Sequence, residues 1–175
     1  LPVQSAAQLV DPPVSMEEYV ARPYLAASVF EHLHDAGFDG AEILAMESSL
    51  HEMDFNPHDF QDLREIGFST DRILEAVTSG VGIPRVSSFD GYDITVVEAP
   101  LRAVLPVDEE VKVVVHAPGV AKGAWINNGG FTFLEQDGEH LVGSITPVRG
   151  ELRMSLRINH NGRTSYWRVL EYDVR

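Results

Sequence analysis

The 175 residues hold 27 acidic and 13 basic side chains, a net charge of −14, with 44% hydrophobic content and no cysteine. That charge opposes polyanions, which excludes nucleic acid and anionic membrane surfaces as expected partners. The missing thiols exclude disulfides, thiolate metal sites and a cysteine nucleophile. No apolar run approaches the roughly 18–20 residues of a membrane span, and the hydrophobic content suffices for one medium domain or two small ones.

The chain opens at Leu1 rather than Met, which leads us to expect a processed product or a fragment. In QLVDPPVSMEEYVARPYL, residues 8–25, a double proline precedes a helix start, with Ser15 and Glu18 at capping-box spacing. Tyr24, Leu25, Val29, Phe30 and Leu33 form a helical stripe that Gly37 ends. A second helix is expected over 41–53, with Ile43, Leu44, Met46 and Leu50 on one face. Asn56 and Pro57 open a third, carrying Phe60, Leu63 and Ile66 and stopped by Gly67. Ser69 starts a fourth, with Ile73, Leu74 and Val77, which Gly80 closes. The helix–turn–helix spelling of this last pair invites a DNA reading. Fifteen acids against four basic residues over 1–85 argue against it.

After residue 85 the pattern changes to strands. Asp90-Gly91 lies between two extended runs as a hairpin signal. EVKVVVHAP is a β-branched strand ended by Pro118. AWINNGGFTFLEQDGEHLVGSI reads as three short strands turning at Asn128-Gly129 and Asp137-Gly138, and Asn161-Gly162 joins two longer strands. In ELRMSLRI, Leu152, Met154, Leu156 and Ile158 alternate with Arg153, Ser155 and Arg157, one face for the core and one for water. The expected fold is therefore α+β: an acidic helical segment, 1–85, followed by an antiparallel, immunoglobulin-like β-sandwich of about seven strands, 86–175.

The lead-in and the closing segment together resemble the region that follows the catalytic core in transglutaminase-like proteins of the kyphoscoliosis-peptidase type. Gln8, Leu9, Pro13, Ser15, Glu17, Glu18, Tyr19 and Pro23 match that family's segment before its β-domain. Tyr166, Leu170, Glu171, Tyr172 and Val174 match the β-domain's final strand, and AWINNGGFTFLEQDGEHLVGSI is similar to its central hairpins. The resemblance implies an accessory, non-catalytic C-terminal region. The family's Cys-His-Asp centre has no counterpart here, because the chain has no Cys, and residues 37–85 have no place in the family's pattern.

Candidate sites follow from residue type. His32 and His34, two apart on a helix, face away from each other and cannot share an ion. His51 with Asp54, or His58 with Asp59, could contribute to a site assembled in space, but solvated histidines on an acidic face are the expected reading. Asp35, Asp39 and Gly40 have the outline of a calcium loop, yet Gly37 and Met46 stand where ligands are needed, so a joint between helices is expected. Asp108, Glu109 and Glu110 read as a solvated turn before a strand. No cofactor or metal is expected. The residues singled out for partner binding are Arg153, Arg157, Arg163 and Arg168, a basic sheet face set against acidic helices, and Trp125, an aromatic that could also serve carbohydrate. Trp125, Phe131, Phe133 and Trp167 are most simply expected in the sandwich core, an aromatic platform for sugar being the other reading.

The function expected from the sequence is a non-catalytic binding or structural module, contacting a protein partner or copies of itself in a secreted or cell-surface setting. The alternatives are an accessory part of a transglutaminase-like peptidase and a carbohydrate-binding sandwich.

Overall fold

The computed structural model describes residues 27–89 and 91–175. The Ser15 cap, the family-matching residues up to Pro23, Tyr24, Leu25 and Asp90 lie outside the described residues. Among the described residues four helices come first: α1 (Ala27–Asp35), α2 (Gly40–Glu52), α3 (His58–Glu65) and α4 (Thr70–Thr78). Their ends are set by local chemistry. Asp39 caps α2 by accepting from the Glu42 backbone at 2.8 Å, while Glu42 reaches back to the Asp39 N–H at 3.0 Å. Ser69 caps α4 by accepting from the Arg72 N–H at 3.2 Å. The Asp35–Gly40 stretch is thus a helix joint, as the sequence led us to expect.

The helical half is a duplication with a 30-residue offset. Phe30, Leu33, Gly37, Phe38, Ile43 and Leu44 recur as Phe60, Leu63, Gly67, Phe68, Ile73 and Leu74. The backbone repeats the same bonds. Phe38 N–H donates to Leu33 O and Phe68 N–H to Leu63 O, while Gly37 donates to His34 O and Gly67 to Arg64 O. Both glycines sit at positive φ, +102° and +111°, which closes each first helix and launches the second. Like elements pack on like, α1 on α3 and α2 on α4. The paired units bury Phe30, Leu33, Phe38, Ile43, Phe60, Leu63, Phe68 and Ile73.

Ten strands follow: β1 (Arg85–Val86), β2 (Thr95–Glu98), β3 (Val104–Leu105), β4 (Val111–His116), β5 (Gly123–Asn127), β6 (Gly130–Phe133), β7 (Glu135–Asp137), β8 (His140–Ile145), β9 (Gly150–His160) and β10 (Arg163–Val174). They form a β-sandwich. One sheet runs β1-β10-β9-β5-β6, with β3 added parallel to β10; the other runs β2-β4-β8-β7. Seven strands have four or more residues; β1, β3 and β7 are the short additions beyond the sequence reading. Residues Leu152, Met154, Leu156 and Ile158 do face inward, at 0–1% exposure. One hydrophobic cluster runs from Phe30 through Val113 and Trp125 to Val174, so the helices and the sandwich share a core.

Asn128-Gly129 and Asn161-Gly162 are two-residue hairpin turns with both residues at positive φ, the geometry that matches strand twist. The β7–β8 turn is Gly138-Glu139, one residue later than the sequence suggested, since Asp137 pairs with His140. No hairpin forms at Gly91, because β1 pairs with β10 in one sheet and β2 with β4 in the other; the segment is a crossover between sheets. Another crossover divides FTFLEQ. Leu134 is buried between β6 and β7 and donates its N–H to Gly123 O at 2.9 Å, so the expected single strand becomes two strands in different sheets.

Candidate functional site

Two surfaces collect the chemistry-bearing side chains. The first is the outer face of the six-stranded sheet. The β5–β6 hairpin sets Trp125 opposite Thr132 and Ile126 opposite Phe131, so successive residues alternate between faces. Trp125 lands on the inner face. It is fully buried, and its indole N–H points to Gly143 O at 3.4 Å across the sandwich. It therefore cannot contact a partner or a sugar, which corrects the sequence assignment. Phe131 and Phe133 land outside, at 51% and 60% exposure, where the sequence reading had put them in the core. Tyr166 on β10 joins them at 39%, its ring 5.6 Å from Phe131, and the Phe131 and Phe133 rings stack at 6.2 Å. Between these rings lie Ala124 and Ser155, small residues on the same face and buried beneath them. Trp167 faces inward and packs against Phe89 at 4.7 Å.

The arginines divide by position. Arg153, on the outer face beside Ile126, holds Glu151 at 2.9 Å. Arg157 lies opposite Tyr166, exposed, and Arg163 stands exposed just after the β9–β10 turn. Arg168 behaves differently: it bonds to Glu171, whose carboxylate is 8% exposed and also faces Arg85 at 3.7 Å. Arg153 and Arg157 thus flank the aromatic patch, while Arg168 turns toward the helices.

The second surface is where Arg168 points. A cleft of about 490 Å³ lies between the helices and β1, lined by Asp54, His58, Asp59, Asp62, Arg85 and Arg168 among others. Acidic residues of the helical unit and two arginines line this one cleft, the arginines holding Glu171 of their own sheet, and Ser88 Oγ donates to Asp62 at 3.0 Å. His58 rests edge-on against His32, ring centroids 4.3 Å apart. Among the described residues no group of three or more His, Asp or Glu side chains is placed to hold a metal ion. No helix among them is long and apolar enough to cross a membrane.

Burial raises the Asp59 carboxyl above its ordinary value. The Asn56 backbone N–H opposes this, Asp62 adds to it, and Arg85 and His58 oppose it. A raised carboxyl pKa means the folded state keeps this proton to higher pH than the unfolded state. Its contribution is therefore full at low pH and is lost as pH rises through the folded-state value. Asp59→Asn removes that loss while keeping an oxygen for the Asn56 N–H. Thermal melts across pH should then show the variant's advantage in Tm widening upward from about pH 4, the ordinary aspartate range. An advantage that stays flat with pH would contradict the assignment.

The chain matches no protein-family model and no curated protein. Among solved structures it is similar to the fibronectin(III)-like modules of Clostridium thermocellum CbhA, at 13% identity and a TM-score of 0.34, over 46% of this chain and 93% of that one.

Proposed function

We propose that the chain is a non-catalytic module for protein–protein contact, copies of itself included, and that the outer face of its six-stranded sheet is the contact surface. One observation carries the reading: Phe131, Phe133 and Tyr166 expose their rings together on a sheet face flanked by Arg153 and Arg157. Exposed aromatics with arginine are the composition of binding hot spots, where a ring fills a pocket and guanidinium groups meet carboxylates. An acidic surface complements it, and the helices carry one: residues 27–85 hold 12 acidic and 3 basic side chains. Sugar is the weaker fit. Phe131 and Tyr166 stand at 64° to each other, which breaks the flat platform a sugar ring stacks on.

The double variant Arg153→Glu/Arg157→Glu is expected to weaken self-association by roughly tenfold at low salt, where two reversed charges act unscreened. Sedimentation velocity reads this directly. Unchanged sedimentation coefficients over the same concentrations would remove the charged face from the contact.

A further inference from the structure

The four lateral edges of the two sheets are not protected alike. Beside β10, β1 is only two residues long, α3 packs on it, and β3 follows it with Ala103 bonded to Val81. On β2, Val96 donates to Ile66 of the helical unit, and a bulge follows before Glu98. Glu135 and Asp137 lie on β7. These are the usual devices against edge-to-edge pairing: shortness, cover, bulge and charge. Among the described residues the fourth edge, β6, has none of them. Gly130-Phe131-Thr132-Phe133 contains no charge and no proline, and all four residues are exposed.

Its backbone is also aimed outward. The Asn128-Gly129 turn closes on a hydrogen-bonded pair, Asn127 and Gly130. Pairs alternate along an antiparallel ladder, so Phe131 and Phe133 occupy the non-bonded positions toward β5. Their N–H and C=O groups therefore face the open edge, and among the described residues no backbone group meets them.

We propose that β6 pairs with β6 of a second copy of this chain, antiparallel, about a two-fold axis through Thr132. The proposal rests on reading the Phe131–Phe133 region as an association surface and names its occupant. The axis sets Phe131 against Phe133 of the second copy, and the reverse, so each pair exchanges both backbone bonds. The four rings then lie on one face as cross-strand aromatic pairs, the favoured partners in such positions. The pairing strand itself carries no charge, which lets two copies of net charge −14 approach there. The contact is isologous and closes at two.

The test is sedimentation equilibrium of the full chain from micromolar to millimolar concentration, with Phe131→Pro, Phe131→Ala and Arg153→Glu/Arg157→Glu alongside. Proline at an edge position with its nitrogen facing solvent is tolerated by the fold, and circular dichroism checks that it is. The expected result is a dimer whose dissociation constant rises at least roughly tenfold in Phe131→Pro and less in Phe131→Ala, since alanine keeps the N–H. The dimer should also persist from roughly 0.05 to 0.5 M salt, because its core is uncharged. A folded Phe131→Pro that dimerises like the native chain overturns the edge pairing. If the arginine reversal still weakens that dimer, the charged-face reading stands without it. A chain that stays monomeric at every concentration overturns the second copy as occupant and leaves the face to a different protein.

Discussion

Trp125→Ala is expected to remove about 3–5 kcal/mol of stability, the range for deleting a large buried aromatic. The residue is fully buried in the middle of β5, between Met154 on β9 and Thr132 on β6, and its indole spans the gap to Gly143 in the other sheet. Alanine leaves a cavity there that neither sheet can close without breaking its own ladder. Domains of this size have total stabilities of about 5–15 kcal/mol, so much of the reserve goes with one side chain. Chemical denaturation should show the midpoint falling steeply while the cooperativity is kept. Phe133→Ala is the comparison. At 60% exposure it should stay within about 0.5 kcal/mol of the native chain. A Trp125→Ala protein as stable as Phe133→Ala would mean that the hairpin is turned the other way round.

The second large effect separates the two halves of the duplication. Gly37 and Gly67 hold the same place in their repeats, and both need positive φ, so alanine at either costs about 1–3 kcal/mol in backbone strain. Their surroundings differ. A Cβ on Gly37 would meet Thr70 Cγ2 at 3.5 Å, an ordinary contact. A Cβ on Gly67 would sit 2.9 Å from Thr95 Cγ2 and 3.2 Å from the Val96 carbonyl oxygen, and a backbone carbonyl does not swing aside as the end of a flexible side chain does. The second repeat docks on β2, where Ile66 O accepts the Val96 N–H at 2.6 Å, and the first does not. Gly67→Ala should therefore lose roughly 1–3 kcal/mol more than Gly37→Ala, the usual cost of overpacking. Equal losses in urea titrations of the two variants would rule out the docking.

The sequence was most readable where the cause is local. Ser69 as a cap, Gly37 and Gly67 as stops, and the Asn-Gly pairs at 128–129 and 161–162 each act through their own backbone, so their position in the chain is enough. Asp90-Gly91 misled because the same dipeptide chemistry also serves a crossover. Which strands β1 and β2 pair with is decided by β10 and β4, more than 15 residues away. Leu134 was missed for a related reason: a strand that changes sheets keeps its alternation, and only the packing tells the two halves apart. The misplacement of Phe131 and Phe133 was avoidable. A two-residue turn at Asn128-Gly129 fixes the register, which puts Phe131 and Phe133 on the face of Ala124 and Ile126, opposite Trp125. Size alone had suggested that all three rings belong inside. The 30-residue duplication was also present in the letters, in GF following each first helix, and comparing the helical half with itself would have found it.

Strand β10 occupies a place with a temporal side. It bonds to β9 along nearly its whole length, to β1 at Arg85 and Val86, and to β3 at Val104 and Leu105. β1 and β3 emerge from the ribosome long before it does, whereas β9 immediately precedes it. Sequence separations of this size slow the search for native pairings. The duplicated helices can assemble while synthesis continues, but the larger sheet waits for β10, and until then β9 and β1 each have an open side in a crowded cell.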